Sequence, residues 1–291
     1  MTTTTKNVLT FGASGMLGQE LMRIIRREPG LKSLGLSFPE IDITSREAVF
    51  TAVKQIGPSI VFNCAAMTDV DGCERDPQTA HSINALGASH IAQACAECGA
   101  LLVHVSTDFV FDGTARQPYL ETDKPNPVCV YGASKLEGEK YVESSAARHV
   151  IARTAWLFGP GRSNFVTKIL ERAGKEKEFS VVDDQVGSPT YAPDLAQELL
   201  FIAQKEFRGI INVTNSGSCS RYEFAAAALK MAGLSEVKIS GAPTARVSGI
   251  APRPAYSVLD TAILAKLKGS PPRPWQAALK KYVSLLTSVP A

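Results

Sequence analysis

A short apolar run, Asn7–Phe11, ends directly on Gly12-Ala13-Ser14-Gly15-Met16-Leu17-Gly18 and passes into a stretch of helical periodicity over Gly15–Glu28. Strand, glycine-rich turn and helix in that order narrow the chain to folds that open with a βα unit around an anion. Gly12 and Gly15 let the backbone turn tightly and approach a pyrophosphate, while Gly18 allows the helix to pack closely. The helix N-terminus then aims its free N–H groups at the negative charge. The same pattern also describes a tight βα turn that binds nothing, so its surroundings decide.

The surroundings repeat the rhythm. Ser33–Leu36, Ser59–Asn63, Ala100–Ser106 and His149–Arg153 read as strands, with Ser45–Gln55, Thr79–Glu97 and Ala133–Ser144 as helices between them. A parallel crossover needs about a dozen residues, which a helix supplies, so the alternation predicts βαβ units and a parallel sheet. Strands this continuously apolar belong in a sheet covered on both faces. Past Trp156 the rhythm breaks at Gly159-Pro160-Gly161; a helix over Asn164–Ala173 and short strands at Phe179–Val182 and Gly209–Val213 follow. Proline-rich punctuation gathers at Ala251-Pro252-Arg253-Pro254 and Pro271-Pro272-Arg273-Pro274. The expected architecture is α/β, a Rossmann-type doubly wound parallel sheet over residues 1–157 to which 178–213 returns, with a smaller C-terminal substrate lobe over 158–291.

Composition excludes other classes. A chain of 291 residues, 45 % hydrophobic and 20 % charged, is globular rather than disordered or fibrous. Lys and Arg number 31 against 28 Asp and Glu, and no run concentrates the resulting +3, so no nucleic acid partner is expected. Met1–Lys6 carry four threonines and a lysine but no apolar h-region, and nowhere do about 18 apolar residues run together. A cytoplasmic protein, neither secreted nor membrane-spanning, is expected. Six cysteines are too sparse for a disulfide framework, and Cys95 and Cys98, one CxxC inside an Ala-rich helical stretch, read as buried packing thiols. His81, His90, His104 and His149 show no HExxH or HxH spacing, so no zinc site is expected.

Tyr131 is followed four residues later by Lys135, in Tyr131-Gly132-Ala133-Ser134-Lys135, which puts both side chains on one face of a helix. No other of the seven tyrosines has lysine at that spacing. An ammonium beside a phenol favours the phenolate, pulling the tyrosine pKa down from about 10 towards the working pH and making Tyr131 a proton donor and acceptor. Upstream, Ala100–Ser106 ends in Ser106-Thr107-Asp108, whose hydroxyls emerge at the carboxyl end of the sheet, where open α/β folds bind ligands. A helix or turn cap is the alternative there.

Further segments accompany these: Asn63-Cys64-Ala65-Ala66, Thr68-Asp69-Val70-Asp71, Ser106 to Phe111, Arg153-Thr154-Ala155-Trp156, Asp184 to Thr190, and Arg253-Pro254-Ala255-Tyr256-Ser257. Together, from residue 7 to about residue 260, they resemble the extended short-chain dehydrogenase/reductases, and among those the dTDP-4-dehydrorhamnose reductase branch. The resemblance implies that Thr107, Tyr131 and Lys135 are the catalytic set. It implies that Gly12, Ser14, Gly15, Met16, Leu17, Ser37, Asp42, Ile43, Ala65, Ala66 and Thr68 bind the cofactor with Tyr131 and Lys135, Asp42 and Ile43 flanking the adenine. Val70, Thr107, Asp108 and Trp156 would border a nucleotide-linked sugar. A Trp at a strand end can stack on a pyranose face, or fill the core. The implied activity is NAD(P)H-dependent reduction of dTDP-4-dehydro-L-rhamnose to dTDP-L-rhamnose. The alternatives are a related UDP-4-ketosugar reductase or epimerase, and a non-catalytic NADP-binding subunit resembling the regulatory subunit of methionine adenosyltransferase, against which the intact Thr107, Tyr131 and Lys135 weigh.

The second strand ends in Gly35-Leu36-Ser37-Phe38, with Glu40 and Asp42 only farther on. Sites that prefer NAD place an acid at that strand end to bond the ribose 2′-OH. Ser37 tolerates a 2′-phosphate, so NADPH is expected, with NADH also accepted. Some reductases of the branch pair through Mg²⁺ held by one acid on the first helix and one just beyond a Gly-x-Pro-Thr segment. Glu20 suits the first place, but Pro193 falls on the second, and Asp194 is displaced by one residue, about 100° around a helix. No metal, and a monomer or weak homodimer, are therefore expected.

Overall fold

The computed structural model describes residues 5–146, 148–247 and 249–288. β1 (Lys6–Phe11) leads through the glycine turn into α1 (Met16–Ile25), followed by β2 (Leu31–Leu36), α2 (Arg46–Ile56) and β3 (Ile60–Asn63). Two short helices, α3 (Val70–Arg75) and α4 (Pro77–His81), precede α5 (Gly87–Cys98), after which come β4 (Leu101–Thr107), α6 (Val130–Ser145) and β5 (His149–Thr154). The strands β6 (Leu157–Phe158), β7 (Glu178–Val182), β8 (Val186–Gly187) and β9 (Thr190–Tyr191) surround α7 (Phe165–Ala173). Then follow α8 (Ala192–Gln204), β10 (Gly209–Asn212), β11 (Cys219–Ser220), α9 (Arg221–Met231), β12 (Lys238–Ala242), α10 (Thr244–Val247), α11 (Ala262–Lys268) and α12 (Trp275–Thr287).

Six strands pair in the order β10-β5-β4-β3-β1-β2, every pairing parallel. The strand order reverses between β1 and β3, and the crevice outside that reversal is where such sheets bind ligands. Helices on both faces explain the apolar strands. Leu17, Leu21, Leu195 and Leu199 of α1 and α8 bury one face, while Val49, Ile91 and Val142 of α2, α5 and α6 bury the other. A separate aromatic core, Phe158, Tyr191, Phe224, Trp275 and Tyr282, gathers residues that follow β5 in the chain. Of the stretch 178–213, Gly209–Asn212 joins the main sheet beside β5, whereas β7 pairs with β12 elsewhere, its exposed-buried alternation suiting a strand with one covered face.

Three local expectations change. The helix read over Thr79–Glu97 is interrupted at Ser82–Leu86 by a wide π-type turn. Buried Asn84 sits in that turn and binds Met67 N–H and C=O and the Ser134 hydroxyl, partners the periodicity cannot show. α6 starts three residues early, at Val130, because the Cys129 Sγ accepts from Gly132 N–H. The CxxC is split: Cys95 is buried, but Cys98 is exposed, since Gly99 at φ +70° ends the helix and opens its last turn to solvent. Among the described residues no helix is long and apolar enough to cross a membrane.

Candidate active site

The glycine turn is as tight as its sequence requires. Gly12 has φ +75°, and a Cβ there would lie 2.7 Å from Ala65 N; at Gly18 a Cβ would lie 2.1 Å from Gly12 O. α1 begins behind Gly15 with no side-chain cap and no acid in its first turn, which leaves its leading N–H groups to an anion. Ser14 N–H donates to the Ser37 hydroxyl at 2.8 Å, tying the end of β2 to the turn. Ala65 and Ala66 are half-buried and Thr68 is exposed on the segment after β3. Two further expected cofactor residues lie on the loop between β2 and α2. Asp42 accepts from Thr44 N–H and Oγ1, and Ile43 is buried in the core, packed on Gly87, because it anchors the loop to α5.

Tyr131 and Lys135 lie on successive turns of α6, with Thr107 at the end of β4. The Thr107 hydroxyl donates to Asp108 Oδ1 (3.0 Å), accepts from Phe109 N–H (3.2 Å) and lies within hydrogen-bonding reach of the Tyr131 phenol. Burial pushes the Tyr131 phenol above its ordinary value, with Thr107 pulling the other way. The expected downward pull of Lys135 on the phenol does not dominate. Lys135 is 2 % exposed, and its Nζ is held back against β4, donating to Val105 O at 2.6 Å. Burial draws the amine down to about 8, with Glu139 one turn along acting upward.

On the substrate side, Asp108 is buried and accepts from Ser257 Oγ at 2.6 Å; burial raises it to about 6 in spite of its hydrogen bonds. Val70 begins α3, and its neighbour Asp71 accepts from Arg253 and from Ala251 N–H, both at 3.0 Å. Trp156 is half-buried with φ +46°, and the Arg221 guanidinium stacks 3.5 Å above its ring. The guanidinium covers that face of the ring, and Gly187 leaves room for the ring where a Cβ would fall 2.4 Å away. Glu20 binds Arg23 at 2.6 Å, and Asp194 binds Arg273 at 3.2 Å and Asn215 at 2.8 Å.

Sequence reasoning assigns no role to Ser257, Arg221, Asn63 or His104. Ser257 and Asn63 stand inside segments that carried the family resemblance. His104 had a signal of its own, a lone imidazole on the otherwise apolar strand Leu101–Val105, buried completely and in register with Asn63.

A doubly wound parallel sheet, a glycine turn at its first strand, and a threonine, tyrosine and lysine gathered at the carboxyl end of β4 define a short-chain dehydrogenase/reductase. Within that class the chain belongs to the RmlD substrate binding domain family, which it matches over residues 6–288. It is 40 % identical to the spore coat polysaccharide biosynthesis protein SpsK of Bacillus subtilis (strain 168), over 95 % of this chain and 96 % of that one. Identity to dTDP-4-dehydrorhamnose reductase of Aggregatibacter actinomycetemcomitans is 37 %, covering 94 % of this chain and 97 % of the relative. A crystal structure of dTDP-4-dehydrorhamnose reductase from Bacillus anthracis str. Ames in complex with NADP superposes with a TM-score of 0.91 at 35 % identity, covering 95 % of this chain and 98 % of that one. The family read from the motifs is the family found.

Proposed function

We propose that this chain reduces the 4-keto group of dTDP-4-dehydro-L-rhamnose to give dTDP-L-rhamnose, using NADPH and also accepting NADH, as a cytoplasmic monomer or weak homodimer. The observation that carries this reading is the convergence of the Thr107 and Tyr131 hydroxyls at the end of β4, with Lys135 one turn deeper. The uncapped N-terminus of α1 and the cradle that a Cβ at Gly12 would fill fit a dinucleotide pyrophosphate, held by Gly12, Ser14, Gly15, Met16 and Leu17. Bound NADPH supplies the hydride. Tyr131 donates its proton to the C4 oxygen, and a phenol held above its ordinary value keeps that proton until the oxygen becomes basic. Thr107 turns its hydroxyl to the same oxygen as negative charge grows there, in a site dry enough for the bond to count. Lys135 holds the nicotinamide ribose and favours the phenolate that Tyr131 leaves behind. Val70, Asp108 and Trp156 border the sugar.

The test mixes purified protein, NADPH and dTDP-4-dehydro-L-rhamnose, and follows the absorbance of the reduced nicotinamide with the product identified by mass. Stoichiometric oxidation with formation of dTDP-L-rhamnose is expected. Oxidation only with UDP-4-ketosugars would move the assignment to that substrate class, and none with either would leave a binding subunit.

A further inference from the structure

Arginines that fold in against this protein meet a carboxylate: Arg153 meets Glu139, Arg253 meets Asp71 and Arg273 meets Asp194. Arg221 does not. Its guanidinium lies over the Trp156 ring at 3.5 Å, with the Phe165 ring 5.2 Å from it. Among the described residues no carboxylate pairs with it and no oxygen accepts from its N–H groups. Its place is nonetheless fixed. Arg221 opens α9 behind the Ser220 cap, and its backbone N–H donates to Gln185 O at 3.2 Å. Burial draws the guanidinium down to about 10, which leaves it charged at neutral pH, with Asp108 acting upward and Arg253 downward. The cation thus stands in the field of both residues and bonds to neither. Asp108 spends its oxygens on Ser257 and Thr107, at 2.6 and 3.0 Å. Arg253 spends its donors on Asp71 and Ala251 O, both at 3.0 Å.

Stacking occupies the face of a guanidinium and leaves its rim alone. The N–H donors lie in the plane, so a group held over an indole still presents its fork sideways. Such a fork matches two oxygens of a phosphate, and a charge-assisted bond of that kind is about twice as strong as one to a neutral hydroxyl. Drawing a guanidinium away from water without acceptors is costly, so the site favours a ligand that brings them. Location narrows the ligand further. Trp156 follows β5 and Asp108 follows β4, which sets the cation at the carboxyl ends of the strands where Thr107 and Tyr131 meet. In a nucleotide-linked 4-ketosugar the carbon bearing the diphosphate lies across the pyranose ring from C4. We propose that Arg221 binds the diphosphate of the nucleotide-linked sugar, with Trp156 as the platform that holds the guanidinium plane in place. The assignment rests on the reductase reading only in taking the ligand to be a nucleotide-linked sugar, and it favours no base.

The test measures binding first and turnover second. Calorimetric titration of the whole chain with dTDP and thymidine, and with UDP and uridine, gives the gain in affinity that the diphosphate brings. The wild type is expected to bind at least one diphosphate more tightly than its nucleoside, by a margin that shrinks as salt is added. Arg221→Met keeps an unbranched chain over Trp156 and removes the donors. It is expected to raise the Kd of that diphosphate about tenfold or more, with the nucleoside and NADPH bound as in the wild type and the salt dependence reduced. Arg221→Lys returns the charge without the fork and should recover part of the margin; it also stands in where the methionine variant does not fold. In turnover the loss should fall mainly on KM. A residue that only propped up Asp108 or Trp156 would weaken nucleoside and diphosphate alike. A margin equal in wild type and variants, or a wild type that gains nothing from the diphosphate, would overturn the proposal and leave the reductase reading to its own assay. A wild type with the expected margin that reduces no 4-ketosugar would do the reverse.

Discussion

Arg153 and Glu139 clasp each other in a dry, two-pronged ion pair, Nη2 at 2.7 Å and Nε at 3.0 Å from the two carboxylate oxygens, with both side chains 2 % exposed. Ser106 Oγ adds a third bond to Oε1 at 2.5 Å, and Arg153 Nη1 reaches Glu121 O at 3.3 Å. The clasp stands two turns along α6 from Tyr131 and pins the helix to both β4 and β5. It therefore sets the height at which Tyr131 and Lys135 meet the sheet.

Breaking one side of the clasp strands the other charge in the interior. Glu139→Gln is expected to lower stability by about 3–5 kcal/mol in denaturant titration, and replacing both partners, Glu139→Leu with Arg153→Met, to recover most of it. A single variant that loses less than about 1 kcal/mol would show the pair to be better hydrated than its burial implies.

Tyr131→Phe deletes a proton donor and little else. Turnover is expected to fall by about 10²–10⁴-fold with NADPH affinity unchanged, while Lys135→Ala damages both. Steady-state kinetics beside a cofactor titration checks this, and retention of a tenth of the rate would remove Tyr131 from its role.

Ser37 is the residue expected to set cofactor preference. Its hydroxyl accepts from Ser14 N–H, so NADPH is expected to be used at least as well as NADH. If Ser37 borders the cofactor's 2′-phosphate as expected, Ser37→Asp would set a carboxylate against it, and kcat/KM for NADPH should fall about tenfold or more with NADH spared. A wild-type enzyme strongly favouring NADH would contradict the reading.

Asp108 couples the site to pH. Burial raises its folded value to about 6, above the unfolded value near 3.9. Between those values the folded chain holds a proton that the unfolded chain has released, so this group's contribution to stability is full below about pH 4 and fades as pH rises to about 6. Asp108→Asn has no such titration. Its stability relative to wild type should climb by on the order of 2 kcal/mol from pH 4 to 7 and then level off, as read from denaturation midpoints; a constant difference would refute the assignment.

Chelation should alter neither turnover nor sedimentation. Glu20 is committed to Arg23 and Asp194 to Arg273, and Pro193 offers no ligand. A Mg²⁺-dependent change in sedimentation would show another acid bridging two copies.

What was legible in the sequence was local. The glycine turn, the βα rhythm and the Tyr131–Lys135 spacing each declare themselves within a few residues, because backbone sterics and helical period act at that range. What escaped depends on contacts between distant segments. Ser257 reaches Asp108 across 149 residues, and Asn84 interrupts its helix for partners 17 and 50 residues away. Arg221 covers a face of Trp156 from 65 residues farther along the chain.

The unequal fate of the CxxC sulfurs has a practical side. Cys98 is exposed just before β4 begins, whereas Thr107 closes the same strand about 20 Å away. Cys73, Cys95, Cys129 and Cys219 are buried, and Cys64 is half-buried with a thiol too weakly acidic to react at neutral pH. A maleimide dye or surface tether should therefore find a single address, at the far end of the sheet from the chemistry, and the unmodified chain can be immobilised or made fluorescent with its crevice left open.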